Sequence, residues 1–287
     1  MAEPLGGIRR PRVVQGQRGP WNAFRRDLAE SGSAVVYGRL DDWSADPGDP
    51  VRIGSLLGRE NARYQGIANP LSRARFLASR LMLRQAAATA IETDPELVDL
   101  AYQHGGRPYV RGCDQIDISL SHTDEIIVVG VTSRGRIGVD VERADRRMAG
   151  TGSEAQGFTP YERDRLDPDD LDRRNDTLIR LWTLKEAYSK ALGQGLRFRF
   201  TEFGFALDGP RAHLVQPNGA PVATGTAWSF GTFTLVDSRY VVSVAVHDSG
   251  FGGGADLSVG TALDAGLLDA LLRTTAGLTD DSARSGW

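Results

Sequence analysis

The chain has 287 residues and a net charge of −3, so it is long enough for one large or two modest domains and shows no overall bias towards nucleic acid. Cys113 is the single cysteine, which excludes a disulfide framework and a thiolate metal site. No apolar stretch is long enough to span a membrane, and residues 1–20 lack the apolar core of a signal peptide, so we expect a cytoplasmic protein.

The first part of the chain is expected to place strands around one long helix. Residues 1–32 are rich in Gly, Arg and Pro and are predicted to be a partly mobile arm. The β-branched run Ser33–Arg39 predicts a strand, and Ser72 is the predicted N-cap of a helix that reaches about Ile91. Three further strands are predicted at 115–121, 125–133 and 136–142, joined as hairpins through Thr123-Asp124 and Arg134-Gly135.

The second part repeats this order of a long helix followed by strands. A polar insert at 143–157 has little to anchor it, and Thr159-Pro160-Tyr161-Glu162 has the sequence of a capping box with proline at the first helical position. A helix around Trp182 follows, and strands are predicted near 203–207, 227–236 and 240–247. These patterns predict an α+β fold, divided into an arm (1–32), two halves (33–135 and 136–247) and a glycine-rich linker with a short amphipathic helix (248–287).

The helix around Trp182 is apolar on most of its surface and leaves one narrow polar strip. The strip consists of Lys185, Glu186, Ser189 and Lys190, because residues three and four apart are neighbours on a helix surface. A helix this apolar is expected to be buried, so the strip is predicted to line an interior cleft. A carboxylate flanked by two lysines suits a metal and a phosphate.

Residues 137–142 alternate β-branched and short or acidic residues, which in a strand places Asp140 and Glu142 on one face. Together with Glu186 these acids offer only oxygen, so Mg²⁺ fits a shared site better than zinc. Two other interpretations stay open from the residues alone. Glu186 and Lys190 also fit an exposed i,i+4 ion pair, and the strand acids also fit the solvent side of an edge strand.

These two segments resemble a known family. Residues 138–142 (Gly-Val-Asp-Val-Glu) and 182–190 (Trp-Thr-Leu-Lys-Glu-Ala-Tyr-Ser-Lys) are similar to the signature pair of 4′-phosphopantetheinyl transferases, in the form of the two-lobed subclass typified by the surfactin-synthetase activator. The resemblance extends more thinly over about residues 60–247. It implies two similar α+β halves related by a pseudo-twofold axis, with the ligand cleft between them.

The activity that the resemblance implies is a Mg²⁺-dependent transfer of the 4′-phosphopantetheine arm of coenzyme A to a serine hydroxyl of an acyl or peptidyl carrier protein, releasing adenosine 3′,5′-bisphosphate. Asp140, Glu142 and Glu186 match the metal positions, and Glu186 also matches the proposed base, for which a metal-bound water is the alternative. Lys190 matches the lysine held to contact the pyrophosphate. Lys185 matches a motif lysine of less settled role.

Basic residues of the first half are candidates for the coenzyme A phosphates, because arginine grips phosphate oxygens in a planar fork. The candidates are Arg63, Arg80, Arg84, Arg107, Ser121 and His122. The resemblance implies phosphate contacts for the Ser121-His122 element and for Arg107, which stands where the family usually has a lysine before proline. A hydrogen-bonded core histidine is the alternative for His122. Arg63 aligns with a basic position of the family by its distance from Arg84. Arg80 and Arg84 lie four apart on the predicted helix, and a solvated helix face is their equal alternative.

Two other functions stay open at this point: a hydrolase that cleaves the pyrophosphate of coenzyme A or of a nucleotide, and a non-catalytic coenzyme A-binding protein. If the chain is a transferase, the expected acceptors are carrier proteins of fatty acid, polyketide or nonribosomal peptide biosynthesis. The insert 143–157 and the helix that begins at Thr159 are predicted to receive them. Because two-lobed members resemble internal dimers, we expect a monomer.

Overall fold

The computed structural model describes residues 7–43, 50–103, 105–193, 199–209, 211–222 and 227–248, and within them no helix is long and apolar enough to cross a membrane. The helices are α1 (Trp21–Ser31), α2 (Pro50–Leu57), α3 (Asn61–Gln65), α4 (Pro70–Ala90), α5 (Gly152–Gly157), α6 (Pro160–Arg163) and α7 (Leu171–Leu192). The strands are β1 (Arg12–Val13), β2 (Ser33–Arg39), β3 (Leu100–Tyr102), β4 (Pro108–Val110), β5 (Asp117–Thr123), β6 (Ile126–Thr132), β7 (Gly135–Arg143), β8 (Gly204–Asp208), β9 (Arg211–Val215), β10 (Trp228–Leu235) and β11 (Tyr240–Asp248). The fold is mixed α+β, as predicted.

A four-stranded sheet in the order β1-β2-β6-β5 organises the first half. Its central strand β6 is β-branched and buried along its whole length, which is typical of a strand covered on both faces. Helix α4 covers one face, where Leu77 and Met82 share an apolar core with Val129. On the other face Val128 belongs to a second core that also contains Val244 of β11. The sheet is therefore sandwiched between α4 and the strands of the second half.

The segment 1–32, predicted as an arm, contains β1 and α1. Strand β1 pairs in parallel with β2, and α1 buries Phe24 and Leu28 in the core of the first half. The buried carboxylate of Asp27 accepts hydrogen bonds from Arg9 and Arg12, which ties α1 to the residues around β1. These contacts attach the described part of the segment to the four-stranded sheet.

A three-stranded antiparallel sheet in the order β10-β11-β7 organises the second half, and α7 packs against β7 and β11. Asp170 is the N-cap of helix α7, and its side chain accepts from the backbone N–H groups of Asp172 and Arg173. Gly193, in the left-handed conformation, is the C-cap. Thr159 and Glu162 form the predicted capping box of α6, so that prediction is confirmed. The hairpin β8-β9 lies in the same core as α7 through Phe205 and Leu214.

The two sheets meet where β5 runs beside β7. The backbone N–H groups of Ile137, Val139 and Val141 donate to side-chain oxygens of β5 instead of to a backbone carbonyl. The acceptors are Asp117 Oδ2 at 2.8 Å, Ser119 Oγ at 3.1 Å and Ser121 Oγ at 3.3 Å. Alternate residues of β7 pair with β11 on its other edge, so these short polar side chains satisfy the N–H groups that face away from it. These three hydrogen bonds between β5 and β7 fix the register between the two halves.

Several boundaries differ from the predictions. The predicted hairpin through Arg134-Gly135 is wrong, because both edges of β6 are already paired with β2 and β5 and β7 must join β11 instead. The N-cap of α4 is Asn69, which accepts from Ser72 N at 2.9 Å, since Pro70 favours the first helical position. Strand β9 was not predicted. The linker and helix predicted beyond Asp248 lie outside the described residues.

The insert 143–157 is anchored, contrary to the prediction. Met148 is fully buried, and the side chain of Asn175 on α7 accepts from the backbone N–H of Met148 at 2.8 Å and of Ala149 at 3.1 Å. Arg174 forms an ion pair with the buried carboxylate of Glu154. The polar composition of the insert therefore reflects hydrogen bonds to α7 and not a free loop.

Candidate active site

A close approach between α7 and β7 brings the acidic strand and the polar helix face together. A side chain on Gly138 would place its Cβ 2.6 Å from the backbone N of Ala191, and closer still to the carbonyl oxygen of Ala187. Only glycine permits this contact between helix and strand. Glu186 and Lys190 consequently lie beside Asp140, two residues further along β7.

Asp140, Ser121 and Lys190 form a compact hydrogen-bonded group. Asp140 is buried, and its Oδ1 accepts from Ser121 Oγ at 2.9 Å and from Lys190 Nζ at 2.6 Å. Lys190 Nζ also donates to Ser121 Oγ at 2.9 Å. The lysine side chain remains about one-third exposed, at 29%. Residues predicted separately on β5, β7 and α7 thus meet at one point, with an ammonium group that reaches solvent.

Glu186 is the most unusual carboxylate of the site. It is half-buried, and among the described residues it has neither a hydrogen bond nor an ion pair within 4 Å. Burial and the negative charge of Asp140 raise its pKa above the ordinary glutamate range, against the opposing charges of Lys190 and Arg146. Such a group is suited to gaining a cation or a proton.

Glu142 has partners of its own. Its Oε2 forms an ion pair with Arg146, and its Oε1 accepts from the backbone N–H of Arg143 at 2.9 Å and from Thr123 Oγ1 at 3.4 Å. The guanidinium of Arg146 in turn lies 5.2 Å from the centre of the Trp182 ring. The prediction that Asp140 and Glu142 share one strand face is consistent with the register of β7, but each carboxylate is neutralised by a different cation.

No group of three His, Cys, Asp or Glu side chains in the described ranges has the spacing to hold a metal ion. The predicted convergence of Asp140, Glu142 and Glu186 on one ion therefore stays a prediction. Two of the three lie near each other, because the negative charge of Asp140 is one cause of the raised pKa of Glu186. Asp140 Oδ2 accepts no hydrogen bond from the described residues, so both carboxylates have an oxygen to offer.

His122 lies at the edge of this group, among cations. The residue is exposed, although nearby protein atoms displace part of the water from around its ring. This partial burial, together with the charges of Arg75, Lys190 and Arg80, lowers the pKa of His122 to about 4. The ring is therefore neutral near pH 7, and the positive charge of this surface comes from the three neighbours.

Arg75 was missed by the sequence analysis. It is half-buried on α4, donates from Nε to the carbonyl of Asp124 at 3.2 Å and faces His122. Nothing in the periodicity of the helix distinguishes it from other arginines near a helix start. Only the position of the β5–β6 turn against α4 reveals it.

The arginines predicted to bind phosphate separate into two kinds. Arg80 is buried, donates to Glu60 at 2.8 Å and lies 4.4 Å from the centre of the Phe76 ring, on whose surface exposed Arg63 also lies, at 5.5 Å. Arg84 is buried and donates to the backbone carbonyls of Val98 and Leu57. The solvated-face alternative for Arg80 and Arg84 is wrong, because both are buried and the Nη1 and Nη2 groups of Arg84 bind carbonyls inside the protein.

Arg107 also differs from the prediction of a phosphate contact. Its guanidinium donates to the carboxylate of Asp117 and to the backbone carbonyls of Ile137 and Lys190. These three acceptors belong to β5, β7 and α7. The structure thus gives Arg107 internal partners in place of a ligand.

Lys185 does not share the polar strip with Glu186, contrary to the prediction. It is fully buried, and its ammonium group contacts Glu162 Oε2 at 2.9 Å and the carbonyl oxygens of Phe200 and Phe203 at 2.6 and 2.7 Å. Three acceptors use all three of its N–H donors. Adjacent helical residues point about 100° apart, which directs Lys185 towards α6 and β8 while Glu186 faces Asp140.

Comparison with known proteins identifies the same family that the two sequence motifs resemble. Residues 136–245 match the family model described as the 4′-phosphopantetheinyl transferase superfamily. The chain is 31% identical over 187 residues to a 4′-phosphopantetheinyl transferase of Bacillus subtilis, covering 64% of this chain and 82% of that protein. It is 31% identical over 205 residues to the 4′-phosphopantetheinyl transferase HetI of Nostoc sp., covering 69% and 80%. It is 28% identical over 227 residues to a phosphopantetheinyl transferase of Thraustochytrium sp., covering 73% and 76%.

The chain belongs to the 4′-phosphopantetheinyl transferase family. The resemblance drawn from the two sequence motifs is confirmed, and so is the enzyme class that it implied. The matched region contains β7 and α7, the elements that supply Asp140, Glu186 and Lys190.

Proposed function

We propose that this protein transfers the 4′-phosphopantetheine arm of coenzyme A to a serine hydroxyl of an acyl or peptidyl carrier protein, with Mg²⁺ as cofactor and adenosine 3′,5′-bisphosphate as the second product. The observation that carries the proposal is the meeting of Asp140, Ser121 and Lys190 beside the carboxylate of Glu186, which has no partner within the described part of the chain. Phosphoryl transfer needs in-line positioning and positive charge more than covalent assistance, and the partly exposed ammonium group of Lys190 supplies positive charge at this point.

The phosphates of coenzyme A have a suitable surface next to this group. Arg75, Arg80 and Lys190 surround His122, so anionic ligands are attracted to this part of the molecule. A neutral His122 donates one ring N–H without adding charge, and Ser121 offers a hydroxyl beside it. Arg63, exposed on the same aromatic ring that contacts Arg80, extends the cationic surface outwards.

The side chains present fit a bound Mg²⁺. Asp140 and Glu186 would hold it, because the negative charge of Asp140 contributes to the raised pKa of Glu186, which a cation between the two carboxylates would offset. Glu142 would join them if it exchanged its ion pair with Arg146. When bound, the ion supplies positive charge at the pyrophosphate.

The protein groups have separable tasks in the transfer. Glu186 is the candidate base for the proton of the incoming serine hydroxyl. Its raised pKa describes the metal-free carboxylate, and a bound Mg²⁺ would lower it, so a water held by the ion is the alternative base. The ammonium group of Lys190, held by Asp140 and Ser121 and partly open to solvent, offsets the negative charge that develops on the departing bisphosphate oxygen.

We also propose the pseudo-twofold arrangement of halves 33–135 and 136–247, with coenzyme A bound between them. Its support is that α4 lies on the sheet containing β5 while α7 lies on the sheet containing β7, and that these two strands run side by side. A monomer in the cytoplasm is the corresponding proposal for the whole chain. The carrier protein would approach the anchored insert 143–157 and α6, which border Glu142 and Trp182.

The test is incubation with fluorescent coenzyme A and an apo carrier protein, with and without Mg²⁺. Label on the carrier serine that depends on Mg²⁺ supports the transfer. Free bisphosphate without labelled carrier indicates a pyrophosphate hydrolase, and neither product indicates a protein that only binds coenzyme A. Glu186→Gln should lower the labelling rate more than tenfold, a loss above about 1.4 kcal/mol of transition-state stabilisation, while the fold is retained.

A further inference from the structure

Arg107 is the buried centre of contacts among three elements. The residue precedes β4 and is 9% exposed. Its Nη1 donates to the carbonyl of Lys190, and its Nη2 donates to Asp117 and, at 2.8 Å, to the carbonyl of Ile137. A single planar guanidinium thus connects β5, the beginning of β7 and the last turn of α7, a geometry that arginine supports and lysine does not.

The contact with β7 is completed by Asp117. Its Oδ2 accepts the backbone N–H of Ile137 at 2.8 Å while Arg107 binds the carbonyl of the same residue. Both polar backbone atoms of Ile137 on the edge away from β11 are therefore held by one ion pair. Asp117 and Arg107 thus hold β7 against β5 at Ile137, three residues before Asp140.

The contact with α7 lies at a position where a cation is favourable. The carbonyl oxygens of the last helical turn lack helix partners and carry partial negative charge. Lys190 O accepts from Gly193 N at 3.1 Å and from Arg107, and a Cβ on Gly105 would lie only 2.7 Å from Gly193 O. The chain around Arg107 thus packs tightly on the end of the helix that holds Glu186 and Lys190.

We propose that Arg107 is a positioning residue for the transfer reaction. It holds the last turn of α7 against β7, so that the ammonium group of Lys190 and the carboxylate of Glu186 keep their places relative to Asp140. This inference rests on the proposed function and replaces the phosphate contact expected from the sequence, because the donors of Arg107 face protein oxygens.

The expected effect is on the rate of transfer and not on coenzyme A binding. Displacing a reacting group by about 1 Å costs up to ~100-fold in rate, so Arg107→Met should lower kcat by roughly 10- to 100-fold. The dissociation constant of coenzyme A and its KM should change less than threefold, because Arg75 and Arg80, two of the three cations around His122, lie on α4 and not on α7. Arg107→Lys should behave nearly as Arg107→Met, since an ammonium group cannot reach three acceptors in one plane.

The experiment compares Arg107→Met, Arg107→Lys and Asp117→Asn with wild type and with Arg111→Met as a matched control. Arg111 forms an exposed ion pair with Asp99 at 3.1 Å, four residues further along the chain, and its removal should leave kcat unchanged. Steady-state carrier labelling gives kcat and KM, and calorimetric titration with coenzyme A gives affinity and binding stoichiometry. The stoichiometry normalises kcat to folded protein, so partial unfolding does not imitate a loss of rate.

A kcat loss of tenfold or more at unchanged coenzyme A affinity in the Arg107 variants supports the positioning role. A tenfold weaker affinity at nearly unchanged kcat, restored by lysine, would assign Arg107 to phosphate binding and overturn it. Unchanged kcat and affinity would overturn it equally. If Arg107→Met does not fold, Arg107→Lys and Asp117→Asn are judged by the same criteria. Absence of labelled carrier with the wild-type protein would instead refute the proposed function itself.

Discussion

Replacing Lys185 should separate stability from catalysis within the signature motif. In the structure its ammonium group is fully buried and contacts Glu162 and two backbone carbonyls. Lys185→Met keeps the apolar stem and removes the charge. Glu162 then loses its cation while still accepting from Thr159 and from Phe205 N. The result is a buried carboxylate with hydrogen bonds but no counter-ion.

Removing one partner of a buried ion pair costs about 3–5 kcal/mol, because the remaining charge is left desolvated. For a chain of this size each kcal/mol corresponds to a Tm change of about 2–4 °C, so Lys185→Met should lower Tm by roughly 6–20 °C. The double variant Lys185→Met with Glu162→Gln should recover part of this loss, because it removes both charges. Lys185→Met also removes the hydrogen bonds that the ammonium group donates to the carbonyls of Phe200 and Phe203, just before β8.

The assay measures thermal unfolding and carrier labelling on the same preparations, with labelling normalised to the stoichiometry of coenzyme A binding. Lys185→Met at a temperature below its Tm should retain most of the wild-type kcat. Lys190→Met, five residues away and partly exposed, should do the reverse, with a large loss of kcat and a smaller change in Tm. A variant of Lys185 that keeps the wild-type Tm and loses activity would refute the structural role and restore the catalytic one.

Three further predictions concern the surroundings of the site. Gly138→Ala should abolish carrier labelling and lower Tm, because the added Cβ would collide with the carbonyl oxygen of Ala187. Wild-type activity in this variant would show that α7 and β7 are further apart than in the structure. The pKa of His122 is about 4 in the folded protein and that of a free histidine is about 6.5, so the unfolded chain binds an extra proton between these values and stability falls as pH drops from 6.5 to 4. Urea unfolding of wild type and His122→Gln at pH 4.5–7 measures this effect. The same pH dependence of the unfolding free energy in both proteins would contradict the shift. Thr159→Ala should cost about 1–2 kcal/mol in urea unfolding, since it removes the cap of α6, and no measurable change would exclude a stabilising capping box.

The relative positions of the acidic residues could be predicted from the sequence, because they depend on the two-residue repeat of a strand and the 3.6-residue repeat of a helix. Alternation along β7 identified Asp140 and Glu142 as a same-face pair, and the helical period placed Glu186 and Lys190 one turn apart. The limit of the same reasoning is visible one residue earlier. Lys185 lies at the edge of the polar strip, so helical spacing alone does not tell whether its side chain turns towards Asp140 or towards α6.

Features that depend on partners distant in sequence were not predictable from local patterns. Arg107 is 30 residues from Ile137 and 83 from Lys190, and its three acceptors become visible only when β5, β7 and α7 are assembled. The hairpin predicted through Arg134-Gly135 failed for a similar reason, because the edges of β6 are occupied by strands from elsewhere in the chain. Arg75 gains its significance from a turn about 50 residues away.

The central claim is that the carboxylates of Asp140 and Glu186 hold one divalent ion beside Lys190. A crystal of the protein grown with Mn²⁺ and coenzyme A, with diffraction measured at a wavelength where manganese scatters anomalously, locates that ion directly. The account predicts an anomalous peak within ligand distance of an oxygen from each of these two carboxylates. A peak bound elsewhere, with Glu186 free of it, would contradict the account.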